Sequence, residues 1–191
     1  MITSYNDLKI KDFKDLLDGK NPLEIIVGKP LNDILITEID NISTEWLTKP
    51  YEPKMPSKRY NIGGKEFEVE LNPNKMTVSQ YLDFQTFIKD PNKYISNLLA
   101  CFLIPKGEKY GDSDPLENAK FLEENCNYAI CQDINFFFLK AVGNLHSQYP
   151  GIFGEISEED SQEGEESDSK ETDNQADNQT KNAFQWLEWI D

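Results

Sequence analysis

One histidine, His146, and three cysteines, Cys101, Cys126 and Cys131, are all that the 191 residues offer a soft metal ion. No two cysteines form a CxxC pair, the spacing that commonly anchors a structural zinc site, so no tetrahedral zinc site of Cys and His is expected. Cys101 falls in an apolar helix pattern and reads as a small buried hydrophobe, while Cys126 and Cys131 flank a potential helix start with little to suggest redox chemistry. Walker A, GxGxxG, HExxH, GxSxG and EF-hand patterns are missing as well. His146 sits near a helix end, where solvation or pairing with the helix dipole is the plain reading. Neighbouring carboxylates such as Glu123-Glu124, or Asp112 with Asp114, carry no weight in so acidic a chain. The expectation is a non-enzymatic protein with no catalytic residue, cofactor or metal.

Long apolar runs are also lacking. No stretch approaches the roughly 18–20 residues that span a bilayer, and Met1-Ile2-Thr3-Ser4-Tyr5-Asn6-Asp7 has neither a basic nor an apolar signal region. The expected location is therefore a cytoplasm. Positive charge is scarce, with 19 Lys+Arg against 35 Asp+Glu and a net charge of −16. Phosphate backbones and anionic lipid are repelled by such a balance, so protein is the expected partner and nucleic acid and membranes are not. Homo-oligomerisation stays open.

The charge is uneven. Residues 155–181 hold 11 Asp+Glu against 2 Lys, a net of −9, and Ile156 is their sole sizeable apolar residue. Too little can be buried there to offset ordering entropy, which predicts a disordered acidic tether. Its plain reading is a solubilising linker; a specific acidic recognition element is the other. Residues 182–191 then turn apolar, and Phe184, Trp186, Leu187, Trp189 and Ile190 are the expected partner-binding residues of a short C-terminal helix. A helix that short is unstable alone, so it folds either on a partner or on its own bundle.

Ahead of the tether the pattern is mostly α: a small helical bundle with one β-hairpin. Residues 1–58 read as an N-terminal helical cap and Pro-rich connector. Its apolar spacing gives a helix ending near Leu17 that starts at Tyr5 or as late as Ile10, then a turn of helix from Pro22 to Val27 stopped by Gly28. Leu31 to Leu47 fits two short helices joined near Asp40, with Ile34-Leu35-Ile36 fitting a strand equally well. Pro50, Pro53 and Pro56 mark an extended connector with little to bury.

Residues 59–154 form the expected main body. Arg59–Ile62 and Lys65–Leu71 flank Gly63-Gly64, the signature of a two-residue hairpin with a primed turn. Such a hairpin is marginal alone and must pack on something or pair with another strand. Four helices follow: Val78–Lys89 behind a Thr77/Gln80 capping box, one begun by Asp90-Pro91 with a stripe of Ile95, Leu98, Leu99, Phe102 and Leu103, one from Asp114-Pro115 to about Asn125, and one from about Tyr128 to Gln148. Ile130, Ile134, Phe137, Phe138, Ala141, Val142 and Leu145 are expected inside the last.

Three motifs add a resemblance. Arg59-Tyr60-Asn61-Ile62-Gly63-Gly64-Lys65-Glu66-Phe67, then Met76-Thr77-Val78-Ser79-Gln80-Tyr81-Leu82-Asp83-Phe84, then Leu103-Ile104-Pro105-Lys106-Gly107-Glu108-Lys109-Tyr110-Gly111-Asp112 occur in an order that resembles tail assembly chaperones of Bacteroides-type phages and prophages. The aromatic-rich Asn135-Phe136-Phe137-Phe138-Leu139-Lys140 fits the same order, so the resemblance covers about residues 59 to 150. It implies a protein of the host bacterial cytoplasm that masks apolar surface of the tape measure protein, or of another tail protein, during tail morphogenesis. The segment from Phe184 resembles the opening of a second helical module found in longer members. A structural virion component, connector or baseplate, is the alternative; an acidic protein-binding inhibitor is a third reading that would need its carboxylates ordered on a rigid surface.

Overall fold

The computed structural model describes residues 1–40, 42 and 45–148; the acidic tether and the C-terminal helix expected from sequence lie outside them. The chain divides into two compact units, Met1–Ala141 and Val142–Asp191. The first unit is mostly α with one small sheet, as the sequence pattern predicts. Its helices are α1 (Ile10–Leu17), α2 (Pro22–Val27), α3 (Ile36–Ile39), α4 (Val78–Phe87), α5 (Ile95–Phe102), α6 (Pro115–Asn125) and the start of α7 (Tyr128–Gln148), which runs on into the second unit.

Local chemistry sets most of these boundaries. The side chains of Asn21 and Asp114 each accept a hydrogen bond from the backbone two residues on, at 2.9 Å, with proline at the first helical position. Thr77 and Gln80 close a reciprocal capping box on α4. Asp90-Pro91 behaves otherwise: Asp90 caps only a turn, and α5 begins at Ile95, four residues later than the pattern suggested. Asn92 and Lys93 are exposed, so nothing holds that turn in a helix until the buried stripe starts.

The expected hairpin is present, and it gains a third strand. β1 (Arg59–Ile62) pairs antiparallel with β2 (Lys65–Val69), which pairs antiparallel with β3 (Leu103–Pro105). Leu103 therefore leaves the helical stripe on which its spacing placed it. β2 offered a second edge, and pairing there satisfies backbone groups that a lone hairpin leaves to water. Ile34–Ile36 forms no strand: Leu31–Asp33 is a short 3-10 turn, and Ile36 begins α3.

Gly63 and Gly64 turn the hairpin with φ of +56° and +81°. Gly63 also lies against α6, where a Cβ would sit 2.9 Å from the Phe121 ring and 3.0 Å from the Asn125 side chain. Gly63→Ala should thus add a clash to the roughly 1–2 kcal/mol strain of a left-handed L-residue. Gly64→Ala bears the strain alone, since its Cβ would meet open space. Urea midpoints should rank wild type above Gly64→Ala above Gly63→Ala; equal midpoints for the two variants would refute the close packing at Gly63.

The core gathers Leu8, Ile10, Ile62, Phe67, Phe84, Leu98, Leu99, Phe102, Leu122, Ile134 and Phe138, all buried. The N-terminal segment is tied in by backbone bonds from Ile10 N to Cys126 O and from Tyr128 N to Leu8 O. On α7 the buried stripe runs through Tyr128, Cys131, Ile134, Asn135 and Phe138, while Ile130 and Phe137 are half-buried rather than inside. The connector carries more structure than its composition suggests. Pro56 is buried, and Asp133 accepts from Tyr51 Oη at 2.9 Å and from Lys54 N at 2.7 Å, strapping the proline-rich segment to α7.

Candidate functional site

The partner-binding residues expected from sequence, Phe184, Trp186, Leu187, Trp189 and Ile190, lie outside the described residues. Cys101, Cys126 and Cys131 are free and buried. Burial pushes the Cys101 and Cys126 thiols up to about 12 and the Cys131 thiol well above its ordinary value, so all three stay neutral where a nucleophile would need to be thiolate. The two cysteines expected near a helix start mark the end of α6 and the first turn of α7, within the core.

Two partly buried carboxylates tie elements together. Glu123 accepts from Lys14 Nζ at 2.7 Å and from Ser96 Oγ at 2.9 Å, joining α1, α5 and α6. Asp83 accepts from Tyr110 Oη at 2.6 Å, fixing the loop after β3 to α4. Burial first, and Asp83 second, raise the Tyr110 pKa, so its phenol keeps its proton as a structural donor. Among the described residues no group of three or more His, Cys, Asp or Glu is placed to hold a metal ion.

The feature that departs from an ordinary self-contained domain is apolar. Between Leu31 and Ile39, four large aliphatic side chains face solvent: Leu31 at 45% exposure, Leu35 at 64%, Ile36 at 80% and Ile39 at 40%. Local bonds hold the segment in place. Leu31 N donates to Glu24 Oε1 at 2.7 Å, Leu35 N donates to Glu38 Oε2 at 2.9 Å, and Lys29 Nζ pairs with Glu38 Oε1 at 2.7 Å. Those donors hold the Glu38 carboxyl below its usual range, the Lys29 bond contributing most. Asp33 and Asp40 are exposed beside the cluster, so its rim is acidic.

Scattered apolar residues on a surface need no explanation; four within nine residues are a local concentration of them. Leu31, Leu35 and Ile39 recur at intervals of four, within the stretch whose spacing fits two short helices joined near Asp40. Spacing reports that a face must be covered and says nothing of whether this chain covers it. A smaller pair, Val78 at 76% and Leu82 at 58%, lies one turn apart on the outer face of α4. Comparison of the chain with protein-family models, curated proteins and solved structures finds no match.

Proposed function

We propose that this chain is a non-enzymatic assembly factor that covers apolar helical surface on a partner protein, and that the partner is the tape measure protein of a phage tail. The observation that carries the first half is the exposed Leu31/Leu35/Ile36/Ile39 cluster within an acidic rim. Burying two such side chains fully is worth about 3–6 kcal/mol, enough to decide between capture and no capture. The motif order over residues 59–112 supplies the partner class. A net charge of −16 would keep a half-assembled, apolar complex dispersed.

The test is co-expression with the neighbouring tail genes of the source genome, followed by pull-down of wild type and of Leu35→Glu with Ile36→Glu. Both side chains are exposed, so the thermal transition should stay within a degree or two of wild type. Wild type should retain the tape measure protein, and the double variant should lose it by about 100-fold or more. Equal capture by both would remove the cluster from the mechanism, and capture of other proteins alone would sink the partner class. The three-stranded sheet favours a second reading, a connector or baseplate piece that extends a partner's sheet; that protein would remain in purified particles, whereas an assembly factor leaves them.

A further inference from the structure

The two edges of the sheet are not equivalent. Val69 N donates to Lys58 O at 2.9 Å, which makes residues 58, 60 and 62 the ones bonded to β2. The backbone N–H and C=O groups of Arg59 and Asn61 therefore point away from β2. On the opposite side, β3 has no such groups to offer. Leu103 O accepts from Asn118 Nδ2 at 3.2 Å, Leu103 N is bonded to Leu99 O, Pro105 has no N–H, and Pro105 O accepts from Glu108 N at 3.1 Å. Among the described residues no strand pairs with the outer edge of β1, and Arg59 and Asn61 are exposed.

Charge says what fits there. Residues 49–65 carry Lys49, Lys54, Lys58, Arg59 and Lys65 against Glu52 alone, a net of +4 in a chain of net −16. Lys49 pairs with Glu45, Arg59 pairs with Glu68, Lys65 lies 4.2 Å from the centre of the Phe121 ring, and Lys58 acts on the Glu70 carboxylate by charge, but among the described residues neither Lys54 nor Lys58 forms an ion pair within 4.0 Å. Lysines beside a short edge strand commonly discourage pairing of identical chains. Here two copies meeting edge to edge would bring Lys54, Lys58 and Arg59 of each copy together. An acidic strand meets the opposite situation.

We propose that the outer edge of β1 is a strand-addition site for an extended segment of a partner protein in which acidic and apolar residues alternate. The Arg59 and Asn61 backbones supply two donors and two acceptors, the acidic residues lie on the Arg59 side of the sheet, and the apolar residues lie beside Tyr60. This surface is distinct from the Leu31–Ile39 cluster, and its test does not depend on the tape measure reading.

The probe is a fluorescent glutamate–valine alternating hexapeptide titrated with the full chain, with a lysine–valine hexapeptide as the counterpart. The acidic peptide should bind and the basic one should not. Asn61→Pro deletes one outward N–H and no bond to β2, so it should weaken the acidic peptide about tenfold or more while leaving the thermal transition in place. Should that variant melt early, Lys54→Glu with Lys58→Glu carries the test and should also cost about tenfold. Equal binding of both peptides, no binding of either, or undiminished binding by an Asn61→Pro chain that stays folded would overturn the proposal. A concentration-dependent doubling of mass that Asn61→Pro abolishes would overturn it too, by giving the edge to a second copy.

Discussion

Phe138→Ala should lower the unfolding free energy by about 3–5 kcal/mol, a drop of about 6–20 °C in melting temperature for a chain of this size. Phe138 is 2% exposed, and its ring stacks on Phe102 at 3.7 Å with 3° between planes. Phe102 meets Phe84 edge-on at 5.5 Å, so the three rings join α7, α5 and α4. Truncation loses the transfer energy of the ring and opens a cavity that two aromatic neighbours cannot collapse into without leaving their own rotamers. Phe137→Ala is the comparison. That ring touches Phe138 edge-on at 5.1 Å but is half-buried, so its loss should cost well under half as much. Urea denaturation of both variants checks the pair; a loss below about 1 kcal/mol for Phe138→Ala would take the stack out of the stabilising core.

Stability should begin to fall as pH rises above about 8.5, the ordinary thiol range, and should fall steeply above about 10, the ordinary tyrosine range. Burial raises the pKa values of Tyr5, Tyr51, Tyr60, Tyr81, Tyr110 and Tyr128, with hydrogen bonds to Asp133 and Asp83 reinforcing the effect at Tyr51 and Tyr110. The thiols of Cys101 and Cys126, pushed up to about 12, and that of Cys131 move the same way. For each group the folded value exceeds the unfolded one. Its contribution is complete below the unfolded pKa and disappears as pH climbs toward the folded pKa. Nine groups acting in one direction make the alkaline limb cooperative. The acid limb has less behind it because, of the lowered carboxylates, Asp7, Glu66 and Glu70 are exposed and Glu38 is only half-buried. Melting temperatures followed from neutral pH to 12 should drop together with the rise of tyrosinate absorbance. Tyrosinate appearing at ordinary pH while the protein stays folded would contradict the packing of these rings.

Several elements were legible before any coordinates because their causes lie within a few residues. Asn21-Pro22 and Asp114-Pro115 each start a helix by a side-chain bond two residues away, Thr77 and Gln80 satisfy each other's backbone, and Gly63-Gly64 supply the positive φ of a tight hairpin. The stripe Ile95, Leu98, Leu99 and Phe102 is buried as its spacing indicates. β3 was not legible. Leu103 continues the helical spacing of α5 perfectly well, and only the free side of β2, more than thirty residues away in sequence, draws it into a strand. Pro56 likewise reads as connector until Asp133 on α7 straps its neighbours down.

By itself the sequence determined the fold class, the starts of α2, α4 and α6, the hairpin turn and the segregation of charge, since each follows from short-range hydrogen bonding, backbone sterics or composition. Tertiary structure alone decided which apolar faces are buried and which stay exposed among the described residues. Leu98 and Leu35 sit in similar amphipathic patterns, yet one is 2% exposed and the other 64%. It also decided that the sheet closes one edge and that no strand among the described residues pairs with the outer edge of β1. Burial and edge pairing are settled by what arrives from distant parts of the chain, and no local pattern records an arrival.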